Sequence, residues 1–241
     1  MELLCIGSGS SGNCYILRSR NECLVVETGI KDSALKKALD FNLATVCGCV
    51  ISHRHNDHSA SLKQVAKWGI PILALEDVFK AHGIAENPFC IKAEPHKGYK
   101  IGEYKIYCLP VEHDVQCLAF VIEHAECGKV LFVTDTMFLP YKVKGVRHIL
   151  IEANYADDIL QENINAGKLP FSHRERLMCT HMEIETTKKT LRDNDLSNVQ
   201  EIVLLHLSND NSDEERFVRE VREQTGIPTY AAKSGLTLEL R

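Results

Sequence analysis

Residues 46–58 read VCGCVISHRHNDH. The run Val46–Ile51 is short and apolar, which reads as a buried strand. His53, His55, Asp57 and His58 follow it within six residues. An H-x-H-x-D-H cluster at the end of a β-run is more than a solvated polar loop needs. Alternate residues of an extended turn point the same way. His53 and His55 can therefore grip one ion, while Asp57 and His58 project elsewhere and can grip a second. Imidazole nitrogens joined by a carboxylate suit zinc first, and also manganese or iron.

One short motif cannot complete two metal shells, so further ligands are expected at other strand ends. His113 follows the apolar segment Tyr104–Leu109, Asp135 follows Val130–Val133, and His206 ends Ile202–Leu205. Each alone reads most simply as a satisfied polar residue. Three of them added to H-x-H-x-D-H reverse that reading.

With these residues together, the chain resembles the metallo-β-lactamase superfamily. That family's pattern is H-x-H-x-D-H, then a lone His, a bridging Asp and a final His. The opening GSGSSGN (7–13), the ending LHLSNDN (205–211) and Thr180-His181-Met182 resemble the YycJ/WalJ-like subgroup, whose members are nuclease-like or phosphodiesterase-like. The resemblance spans essentially the whole chain. It implies an α/β fold, a four-layer αββα sandwich with the metal site at one edge between the two sheets, and a single domain over residues 1–241. It implies His53, His55 and His113 on one divalent ion, Asp57, His58 and His206 on a second, and Asp135 bridging. One position departs from the family. An Asp ordinarily ends the third strand and orients the ligand loop without touching metal, and here Glu27 stands there, one methylene longer.

The expected chemistry is hydrolysis by a metal-bound hydroxide between two ions about 3.5–4 Å apart. The favoured substrate is a phosphodiester or nucleic acid. A small ester, thioester or lactone is the alternative, followed by mono-iron oxygenase chemistry or a non-catalytic metal-binding module. Asp57 is the first candidate for proton handling. His181 lies outside the seven ligands, before the helical run Glu183–Leu191, and suits phosphate binding or leaving-group protonation. Ser10, Ser11 and Asn13 are candidate substrate donors. Two basic stretches, Lys142/Lys144/Arg147 and Arg174/Arg176/Lys188/Lys189, would favour a polyanion if they converge on the metals. His82, His96, His124, His148 and His173 fit no ligand position and read as surface or structural.

The glycine-rich opening needs its own reading. Gly7, Gly9 and Gly12 form a G-x-G-x-x-G, and Glu27 lies 20 positions after Gly7. That is the dinucleotide fingerprint on paper. Such a loop must open a helix. Cys14-Tyr15-Ile16-Leu17 are β-formers instead, so a hairpin turn is expected and no nicotinamide or flavin dinucleotide.

Composition bounds the remainder. The chain has 241 residues, 44% of them apolar, and a formal charge of −5, which argues against a globally basic nucleic-acid binder. Ten cysteines carry no C-x-x-C and mostly sit in apolar runs. With no signal-peptide pattern and no membrane-length apolar run, the expectation is a reduced, cytoplasmic protein without membrane partners. Oligomeric state is not legible.

Overall fold

The computed structural model describes residues 1–241, with the side chains of residues 171–173 outside the description. The reading of His173 lies among those residues.

Two seven-stranded sheets face each other. The first is ordered β14 (Thr237–Glu239), β1 (Glu2–Gly7), β2 (Cys14–Arg18), β3 (Cys23–Val26), β4 (Val46–Val50), β5 (Ile72–Ala74), β6 (Cys90–Lys92). The second is ordered β13 (Thr229–Ala231), β12 (Glu201–Leu205), β11 (Val146–Glu152), β10 (Gly128–Val133), β9 (Cys117–His124), β8 (Tyr104–Val111), β7 (Gly98–Ile101). Each sheet is antiparallel in one half and parallel in the other: β3 to β6 and β10 to β13 run parallel. Parallel neighbours need crossovers, and helices supply all but the β10–β11 connection, which is the segment 134–145. The helices are α1 (Asp32–Ala38), the single turn α2 (Asn56–Ser59), α3 (Leu62–Lys67) and α4 (Glu76–Ala81) on the first sheet. On the second they are α5 (Asp157–Asn165), α6 (Phe171–Thr180), α7 (Ile184–Asp193) and α8 (Glu214–Thr225). The result is the αββα sandwich.

The strands follow from their side chains. In β2 the residues Cys14, Tyr15, Ile16 and Leu17 are all buried, as a strand covered on both faces requires. Across the gap Tyr15 meets Phe132 edge-on at 5.5 Å, and the Tyr104 hydroxyl donates to the Leu17 carbonyl at 2.7 Å. α7 and α8 bury Ile184, Leu191, Phe217 and Val221 against Ile149, Ile151, Ile202 and Leu204. Each such side chain contributes about 1.5–3 kcal/mol. α8 starts under an Asp213 cap and stops at Gly226 in the left-handed region. β8 differs: Tyr104, Ile106 and Cys108 face inward, while Lys105 and Tyr107 remain exposed. Among the described residues, no helix is long and apolar enough to cross a membrane.

This topology sets the position of the site. The C-terminal ends of β3, β4, β8, β10, β11 and β12 all open on one edge of the sandwich, the edge where parallel sheets collect ligand residues. α6 and α4 were not expected from the sequence. Neither has a side-chain N-cap.

Candidate metal centre

The loop after β4 brings His53 and His55 together, and the end of β8 adds His113. His53 Nε2 lies 3.1 Å and His113 Nε2 3.2 Å from His55 Nδ1. Beside this trio, His58 Nε2 is 3.6 Å and His206 Nε2 3.3 Å from Asp57 Oδ2. Asp135 lies between the groups. Its Oδ2 is 3.8 Å from His53 Nε2 and 3.9 Å from His113 Nε2, while its Oδ1 is 3.2 Å from His58 Nε2 and 3.8 Å from His206 Nε2. All seven residues singled out by the sequence therefore meet at one edge.

These residues fit divalent cations. Thr180's carbonyl accepts from His113 Nδ1 at 2.9 Å, so the neutral ring offers a lone pair at Nε2. Ser52 Oγ lies 2.9 Å from His53 Nδ1 and ties down that ring in the same way. Lone pairs then converge on lone pairs among buried side chains, an arrangement a shared cation relieves. Four donors about 2.0 Å from a tetrahedral ion stand roughly 3.3 Å apart, close to the spacing within the trio.

The charges follow from burial and neighbours. Burial opposes ionisation of Asp135, but His206, His58 and His53 outweigh it and hold the carboxyl well below the usual range. Burial likewise opposes charge on His58, yet Asp135 and Glu27 raise it well above an ordinary imidazole. His53 is lowered by burial and by His58. Asp57 is lowered because His206 and His58 outweigh burial.

Backbone strain marks the same edge. Glu27, Asp135 and His206 have positive φ, 64°, 47° and 53°. A non-glycine residue held there costs of order 1–3 kcal/mol, and such outliers cluster at functional sites. Glu27 is fully buried. Burial raises its carboxyl despite His58. Its Oε1 accepts from the Ser52 amide at 3.1 Å, and its Oε2 stands 3.7 Å from His58 Nδ1. It thus holds the start of the ligand loop and faces no other cluster member directly.

The glycine-rich segment joins antiparallel β1 and β2 and opens no helix. Its glycines are set by space. A Cβ on Gly12 would meet the Gly29 carbonyl, and a Cβ on Gly29 would overlap the Asp57 carbonyl and sit 2.8 Å from the His58 nitrogen. Three backbone stretches press together beneath the ligand loop. Asn13 is a correction. It is completely buried, donates to the carbonyls of Gly9 and Asp57 at 3.1 and 3.2 Å, and lies 3.0 Å from His58 Nε2. Its amide braces the ligand loop and presents nothing to a substrate. Ser10 lines the metal-side cavity of about 350 Å³ and an adjoining one of about 330 Å³, whereas exposed Ser11 lines neither.

His181 reaches the same edge, lining both cavities. Its Nδ1 is 2.7 Å from Glu152 Oε1. Burial opposes its charge, but Glu152 raises the imidazole to about 9. The helix N-terminus anticipated beside it is not free: the Glu183 side chain accepts from the amides of Glu185 and Thr186. Glu152 was overlooked. It is fully buried at the end of β11 and also accepts from the amides of Thr136 and Met182 at 3.0 and 3.2 Å. The signal was present, since Glu152 ends the apolar run His148–Ile151 as His206 ends its own. Ser8 and Asn154 were overlooked too; Ser8 Oγ accepts from the His206 amide, and Asn154 donates to the His206 carbonyl.

The basic stretches divide. Arg176 lines both cavities, but Arg174 is paired with Asp157 and Lys188 with Glu185 and Glu220. A further cluster of Glu22, Glu103 and His124 occupies the opposite edge. There the Glu126 amide donates to His124 Nδ1, so Nε2 carries the proton and offers no lone pair to a metal. His148 is structural, held by Glu201 and the Cys127 carbonyl, and all ten cysteines are unbridged.

Comparison with known proteins agrees with this geometry. Residues 7–114 match the family described as the metallo-beta-lactamase superfamily. The chain is 27% identical to exodeoxyribonuclease YycJ of Bacillus anthracis, covering 92% of this chain and 89% of that protein. It is 24% identical to exodeoxyribonuclease WalJ of Streptococcus pneumoniae serotype 2, covering 86% and 81%. Among solved structures, the metallo-beta-lactamase fold protein YhfI from Bacillus subtilis superimposes with a TM-score of 0.75 at 19% identity, covering 98% of each chain. A diphosphatase of the PhnP family gives 0.70 at 15% identity, covering 100% of this chain and 98% of that one.

Proposed function

We propose that this chain, which matches the metallo-β-lactamase superfamily over residues 7–114, is a metal-dependent exonuclease acting on DNA. The kinship with exodeoxyribonucleases over nine-tenths of the chain carries the choice of substrate. The seven converging ligands support the chemistry. In this reading His53, His55 and His113 hold one divalent ion, Asp57, His58 and His206 hold a second, and Asp135 joins them, with zinc first and manganese or iron as alternatives. Bound there, such ions activate water and neutralise charge on a phosphodiester.

The chain's own groups do the rest. Asp57 stays ionised beside His206 and His58, so its carboxylate can accept the proton of an attacking water. Glu152 fixes Nδ1 of His181 and leaves Nε2 to hold a phosphate oxygen or protonate the leaving oxygen. Ser10 and Arg176 stand on the rim where the substrate enters.

The test is metal quantification of protein purified without chelator, paired with end-labelled DNA, carboxyl esters and lactones as substrates. DNA shortened from one end, with activity lost on chelation and in His58→Ala, is the expected result. Hydrolysis of esters or lactones with DNA untouched would refute the proposal.

A further inference from the structure

The outer face of β7 to β9 has an unusual composition. Register places Lys100, Lys105, Glu123 and Lys129 in one row across four strands, and Gly98, Tyr107 and Val121 in the next. Tyr107 is 41% exposed, and Gly98 opposite it puts no side chain over the ring. The segment 141–144 walls this face into a groove of about 720 Å³, adding Tyr141, Lys142 and Lys144. Lys105 is spent on Glu123 at 3.1 Å. Lys100, Lys129, Lys142 and Lys144 have no ion-pair partner among the described residues, on a chain of net charge −5. The groove shares no lining residue with the metal-side cavity and begins toward the opposite edge. Its floor strand β8 runs on from Tyr107 toward His113. Tyr107 and Val111 are about 13 Å apart at 3.3 Å per residue.

Unpaired cations beside an exposed tyrosine ring form a surface that grips an unpaired nucleic-acid strand. Lysines take the phosphates, and the ring stacks on a base whose face is free. A duplex hides those faces. We infer that this groove holds the single strand of the DNA substrate outside the metal centre, with phosphates on Lys100, Lys142 and Lys144 and a base on Tyr107. The inference rests on the nuclease reading above.

Fluorescence anisotropy of the metal-loaded protein with a cleavage-resistant phosphorothioate oligothymidylate, across a salt series, tests it. Tyr107→Ala is expected to raise Kd about 5- to 150-fold. The triple variant Lys100→Gln/Lys142→Gln/Lys144→Gln should flatten the slope of log K against log salt by about 2, at roughly 0.7 per phosphate contact. Hydrolysis of bis-p-nitrophenyl phosphate should stay at the wild-type rate in both. The control Lys31→Gln/Lys37→Gln/Lys63→Gln removes equal charge from the helices over the other sheet and should leave binding nearly unchanged. Unchanged binding in the groove variants, an equal loss in the control, or duplex bound as tightly as the single strand would each overturn the inference. Wild-type protein that shortens DNA while the groove variants match it defeats the groove alone. Wild-type protein that neither binds nor shortens DNA defeats the nuclease reading with it.

Discussion

Replacing Gly29 with alanine should empty the metal centre without substituting a ligand. Gly29 is not in the left-handed region, so the substitution meets no backbone penalty of that kind. The obstacle is space. The new methyl would stand 2.8 Å from the His58 nitrogen and overlap the Asp57 carbonyl outright. Ordinary contact begins near 3.4 Å, so the His58 nitrogen must retreat about 0.6 Å and the Asp57 carbonyl farther. Asp57 and His58 are adjacent ligand residues, so both leave their places together. A shift near 1 Å at a reacting centre costs about 100-fold in rate. Overpacking costs about 1–3 kcal/mol, or roughly 2–12 °C in Tm for a chain of this size. Gly83→Ala is the comparison. Its φ of +63° carries strain, but a Cβ there meets nothing within 4 Å, so it should lose some stability and keep its metal. Metal content by mass spectrometry, thermal melts and DNA shortening read out both variants. If Gly29→Ala keeps full metal and more than half of wild-type activity, the reasoning from backbone contact is wrong.

Other outcomes follow from the same site. His181→Ala should lower kcat on phosphodiesters about 10²- to 10⁴-fold with metal content unchanged, measured by steady-state kinetics alongside metal analysis. Glu152→Gln puts an amide where three donors converge, and should cost about 10–100-fold in activity and lower Tm. Glu27→Asp should withdraw the carboxylate from the Ser52 amide and weaken metal retention about 10–100-fold, seen as a lower chelator midpoint. A chelator should lower Tm, and excess zinc or manganese restore it. At 100 times Kd the ion adds about 2.7 kcal/mol.

Much of the site was legible because its ligands obey one local rule. His113, Asp135 and His206 are polar residues closing apolar strands, and a strand's period and length are visible in sequence. Glu152 obeys the same rule, but its role as a brace depends on His181 and the Thr136 and Met182 amides, which only the fold brings to it. What sequence does not carry is which polar groups meet water. Ser10, Ser11 and Asn13 look alike in a turn, yet one lines the cavities, one lines neither, and one is buried as a brace. α6 escaped because its residues form no apolar stripe and Pro170 supplies no capping side chain. The basic stretches divided because pairing of Arg174 with Asp157 and of Lys188 with Glu220 depends on helix packing.

The ligands come from both sheets. Four follow β4 in the first, and His113, Asp135 and His206 close strands of the second. The second ion would therefore be a cross-link with the topology of a disulfide, fastening positions 57 and 206 across 149 residues of chain. Closing so long a loop is costly in entropy, so the ion would be captured late in folding, after the sheets have met. The sandwich would then part first at the edge away from the ion, and stripping the metal should quicken unfolding by freeing the ligand edge as well.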